Sequence, residues 1–112
     1  MRVYLPATFG LLTSWLAAGV AEPAGPAYAV TPALREWYRE GEADELESVA
    51  QIAAAAGSVE LLASDPDAPR RRVVLAVDAD DADVEPVDAG HRAAVRLGAS
   101  VPRARWASAL VD

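Results

Sequence analysis

Residues 71–78 read Arg-Arg-Val-Val-Leu-Ala-Val-Asp, and the apolar positions within this run are consecutive. That pattern predicts a strand buried on both faces, central in a sheet and covered by helices. Before it the period changes. Leu46, Val49, Ile52/Ala53, Ala56, Val59 and Leu62/Ala63 recur every third or fourth residue, so a helix is predicted from about Ala43 to Ser64. Asp65-Pro66-Asp67-Ala68-Pro69 breaks it. Gly57 lies inside that helix, where it costs about 1 kcal/mol relative to Ala and marks a kink or a close contact.

The stretch Val-Thr-Pro-Ala-Leu-Arg-Glu-Trp-Tyr-Arg-Glu-Gly at 30–41 carries its own helix signals. Thr31 suits an N-cap, Pro32 the first helical position, and Ala33 to Glu40 the helix, with Gly41 stopping it. Leu34, Trp37 and Tyr38 fall at i, i+3 and i+4 and predict one apolar stripe, flanked by Arg35, Glu36, Arg39 and Glu40. Glu42, Asp44 and Glu45 open the following helix at the positive end of its dipole.

The amino end admits two readings. In one, Arg2 to Leu5 form a strand, Pro6 to Thr8 turn, and Thr8 caps a helix burying Leu11, Leu12, Trp15 and Leu16, with Thr13 and Ser14 on the opposite side. In the other, Met1-Arg2 and the apolar run Phe9–Ala21, with small residues at Gly19 and Ala21, make an export signal with a cleavage site. A membrane span is not expected there, because Glu22, Pro23 and Pro26 interrupt the run too early.

Further along, Ala21 to Ala27 is a loop, Tyr28 to Thr31 a short strand, Asp80 to Asp83 a turn, and Val84 to Val87 a weak strand. Ala93 to Leu97 is another strand, Pro102 starts one helical turn through Trp106, and Ala109 to Val111 is the last strand. The order predicts a single α+β domain over residues 1–112, with a mixed sheet of about five short strands and helices packed mainly on one face.

Composition narrows the function. The net charge of −7 opposes non-specific binding to nucleic acid, and all ten basic residues are Arg, with no Lys, Asn or Cys, as GC-rich codons would leave them. Without Cys there is no disulfide, thiolate zinc site or cysteine nucleophile. His91 stands alone, so a nitrogen and sulfur zinc site cannot be assembled, and Gly98-Ala99-Ser100-Val101-Pro102 lacks the closing glycine of a nucleophile elbow. Asp78 to Asp83 invites a calcium loop, but Ala82, Asp83 and Ala89 stand where that loop needs a ligand, a glycine and a glutamate. Neither a metal nor a cofactor is expected. Arg70, Arg71, Arg72, Arg103, Arg105 and Trp106 could make a phosphate-binding surface, although strand-edge protection and pairing with carboxylates account for them as well. Glu36, Glu40, Glu45 and Glu47 supply carboxylates, but acid–base catalysis needs a pair set apart in a cleft.

Met-Arg-Val-Tyr-Leu-Pro-Ala-Thr at 1–8, residues 27–47, residues 65–79, Ala93 to Leu97 and residues 101–112 together resemble an uncharacterised family of actinobacterial proteins, a domain of unknown function. The resemblance covers nearly the whole chain and implies that Tyr4 to Thr8 begin a first strand, not an export signal, and that the protein is cytoplasmic. It also implies a copy shortened at its carboxyl end, and it supplies no catalytic residues. The function expected is a small cytoplasmic binding or interaction domain using Arg35, Glu36, Trp37, Tyr38 and Glu40, with another protein or a second copy as partner and neither nucleic acid nor a membrane span involved. The alternatives are a small enzyme or ligand-binding protein with an Arg/Glu cleft around 35–40, and an exported protein.

Overall fold

A computed structural model describes residues 1–23, 25–38 and 42–112. In chain order the elements are β1 (Arg2–Ala7), α1 (Phe9–Ala18), β2 (Val20–Ala21), β3 (Ala27–Ala29), α2 (Pro32–Trp37), α3 (Ala43–Ala63), β4 (Val73–Asp78), β5 (Val84–Pro86), β6 (Ala94–Leu97), β7 (Val101–Pro102) and β8 (Trp106–Val111). The class is α+β. Six strands form one sheet in the order β5-β6-β3-β1-β4-β8, and β2 pairs with β7 in a separate ribbon.

Every strand pairing among the described residues is antiparallel, where a mixed sheet was expected. The reason lies in β1. The α2–α3 crossover does join two strands of like direction, β3 and β4, but β1 lies between them and runs against both. α2 and α3 pack on one face of the sheet, as expected, while α1 and the β2–β7 ribbon cover the other. Val3, Leu5, Ala7, Val73, Leu75 and Val77 bury against Trp15 of α1 and the β2–β7 ribbon. Tyr4, Val74 and Ala76 point the other way, toward Leu34 of α2 and Leu46, Ala50 and Ala54 of α3. A strand apolar at consecutive positions, as β4 is, needs cover on both sides, and this arrangement supplies it.

Local chemistry sets the helix ends. Thr8 Oγ1 accepts from Leu11 N at 3.2 Å to start α1, and Gly19, at φ 77°, ends it by donating to Trp15 O at 2.8 Å. Trp15 is 5% exposed, so the amino end is part of the core, while Leu16 points outward. α3 is long and apolar enough to cross a membrane by length and composition, yet Leu46, Ala50, Ala53, Ala54, Ser58 and Leu62 are buried within the domain. Gly57 marks a close contact: a Cβ there would stand 2.8 Å from Pro6 Cγ. Next to it, the fully buried Ser58 donates to Ala7 O at 2.7 Å and accepts from Val73 N at 3.0 Å, tying α3 to β1 and β4.

Candidate functional site

Thr31 places the aromatic end of α2. Its Oγ1 accepts from Leu34 N at 3.1 Å, which starts the helix at Pro32, and donates to Arg92 O at 2.5 Å, which fixes the turn before β6. That turn is closed by Ala93 N donating to His91 Nδ1 at 2.9 Å and Ala94 N donating to His91 O at 3.1 Å. Tyr28 meets the His91 ring edge-on, 6.0 Å between centroids. The Arg92 guanidinium then lies over the Trp37 indole, 3.7 Å from its centroid.

The expected stripe of Leu34, Trp37 and Tyr38 does not form. Leu34 alone is buried; Trp37 is 60% and Tyr38 44% exposed. α2 has only six residues, so its first turn packs on Val30 and Leu46 while its last turn overhangs the core. Tyr38, at φ −112° and ψ 62°, has already left the helix. Arg35 and Glu36 are exposed, and neither lines the concavity beside Arg92. Glu40 lies outside the described residues, as do Arg39 and Gly41. Trp37 and Arg92 thus form one stack, with Tyr38 exposed next to Trp37 in the chain, and Arg92 borders an open concavity of about 580 Å³ lined also by Ala33, Asp88 and His91 among others. Arg92 was invisible to sequence reasoning, since nothing in the spacing links it to a tryptophan so distant in the chain.

The model of a family of unknown function, DUF6912, matches residues 1–112. The chain belongs to that family. Comparison with curated proteins and with solved structures finds no match.

Elsewhere in this DUF6912 chain, several of the polar groups singled out by sequence are engaged structurally. Arg70 donates to Leu62 O and Ala68 O, each at 3.0 Å, and to Asp65 O, satisfying carbonyls at the end of α3 and in the loop after it. Arg72 pairs with Asp112, and Arg105 with Asp80 at 2.9 Å. In the acidic turn, Asp78 accepts from Arg2 at 2.9 Å and Asp81 lies 3.4 Å from the terminal amine. Of the helix carboxylates, Glu47 accepts from the Tyr4 hydroxyl at 3.2 Å. Burial, reinforced by that carboxylate, pushes the Tyr4 phenol up to about 12.

Proposed function

We propose that this DUF6912 protein is a small cytoplasmic interaction domain that uses the Trp37–Tyr38–Arg92 patch to hold another protein and performs no catalysis. The observation that carries this reading is the Trp37 indole, 60% exposed and held flat by Arg92 instead of entering the core. Aromatic rings with a polar tip, and Arg, are the residue types on which partners anchor. The fitting partner is a polypeptide segment with an apolar side chain for the indole and a carboxylate for Arg92. Arg35 and Glu36 would lie at the rim, and Glu40 next to them in sequence.

The cytoplasmic placement is supported by the position of β1 between β3 and β4: cleavage near Ala21 would remove a central strand together with Trp15. Arg as the sole strong cation is the composition an actinobacterial gene would leave, in keeping with the taxon we infer. The test couples two measurements. Partners recovered by crosslinking from a photoreactive group at Tyr38 are purified and their binding is measured by titration; Trp37→Ala and Arg92→Glu should abolish it. Equal binding by all three proteins would refute this site, and an intact mass lacking residues 1–21 would refute the placement.

A further inference from the structure

The sheet has two edges, and they are treated differently. β5 is three residues long, ends at Pro86, and carries the Glu85–Arg96 ion pair at 2.7 Å, all features that discourage a further strand. β8 is six residues long, Trp-Ala-Ser-Ala-Leu-Val, with no charge and no proline. Its Leu110 and Val111 are 43% and 42% exposed, and a concavity of about 410 Å³ separates it from Ile52 and Ala55 of α3. Such an edge is a template for another strand.

Which groups are free follows from the ladder to β4. Arg72 N donates to Asp112 O at 3.2 Å and Asp112 N to Arg72 O at 3.0 Å, so these two residues exchange both bonds. In an antiparallel ladder such pairs alternate with non-bonded ones. Leu110, opposite Val74, and Ser108, opposite Ala76, therefore spend their amides on β4, while Ala109 and Val111 direct theirs to the open edge. The extra residue at Ala107, where the register shifts, limits the regular open stretch to 108–111.

We propose that β8 pairs with β8 of a second copy, antiparallel, about a two-fold axis at Ala109. A two-fold perpendicular to a sheet keeps each face on its own side, so opposed residues must share a face, and Ala109 against Ala109 of the partner meets that condition with both outward amides in register. Ser108 then faces Leu110 on the α3 side, and the regular pairing ends where Ala107 bulges. Small side chains at 107, 108 and 109 let the strands close. Charge is complementary as well: Asp112, paired with Arg72, and Arg105, paired with Asp80, both stay partly exposed at opposite ends of β8, so antiparallel docking brings the two ion pairs of facing strands into one alternating network. A foreign strand has no such built-in match.

The test is the mass of the full chain in solution from micromolar to millimolar concentration, by light scattering and sedimentation. The wild type should reach twice the chain mass. Ala109→Pro removes only an outward amide, and Ala109→Lys sets two like charges face to face on an exposed position; each should return the protein to the monomer mass with an unchanged far-UV spectrum. In this Cys-free chain, Ser108→Cys combined with Leu110→Cys should oxidise to a covalent dimer, because these positions oppose each other as non-bonded antiparallel pairs with Cα atoms about 4.5 Å apart, within disulfide reach, whereas Ala82→Cys should not. Trp37→Ala should leave the mass unchanged, which separates this interface from the aromatic patch. A monomer throughout, a dimer untouched by Ala109→Lys, or a monomer that captures only an added strand-forming peptide would overturn the proposal.

Discussion

Replacing Ser58 by Ala removes one oxygen from a site with no access to water. The hydroxyl donates to Ala7 O at 2.7 Å and accepts from Val73 N at 3.0 Å, and the residue is fully buried. It therefore serves two backbone groups, at the last β1 position and the first β4 position, where the ladder between those strands ends. Alanine leaves both without this partner. A buried polar group deprived of its hydrogen bond costs about 1–3 kcal/mol, and the void left by one oxygen is too small and too apolar on its helix side to recruit a substitute. We expect Ser58→Ala to lose about 2–3 kcal/mol, a large part of the roughly 5–15 kcal/mol available to a domain of this size. The assay is urea unfolding followed by far-UV circular dichroism, with the midpoint compared at equal slope. Thermal midpoints should fall by about 8 °C or more. A loss below about 0.5 kcal/mol, typical of a neutral surface substitution, would refute the idea that this serine bridges helix and strands.

Three further outcomes follow from the same structure. Trp15→Ala should cost about 3–5 kcal/mol by calorimetry or denaturant, the range for deleting a large core ring, and a protein that kept its stability would disconnect the amino end from the core. Tyr4 titrates high in the fold, about 12 against an ordinary 10, so the stability it contributes is fully present below pH 10 and is lost as pH rises toward 12. Absorbance at the tyrosinate band should show Tyr4 ionising late, as should Tyr28, which burial also raises, and Glu47→Gln should move the Tyr4 step to lower pH; a titration unchanged by Glu47→Gln would contradict it. For Trp37 and Arg92, a double-mutant cycle on stability should give a coupling of about 0.5–1 kcal/mol, with zero coupling meaning the stack does not persist in solution.

Local chemistry was legible from the residues, because caps and breakers act through neighbours in the chain. Thr8 and Thr31 cap α1 and α2 as their side chains require, α3 spans Ala43–Ala63 between an acidic start and the Asp-Pro-Asp breaker, and β4 occupies Val73–Asp78. Trp15 buries because its helix has a sheet to face. Only the tertiary structure decided the rest. Val20–Ala21 and Val101–Pro102 are too short to carry a period of their own, and they become strands only by meeting each other. Trp37 carries the spacing of a core residue, yet the sheet does not extend beneath the last turn of α2, and an arginine from the turn before β6 covers it instead. The antiparallel order depends on β1 entering between β3 and β4, a choice made by burial on both faces at once, which no single window of sequence contains.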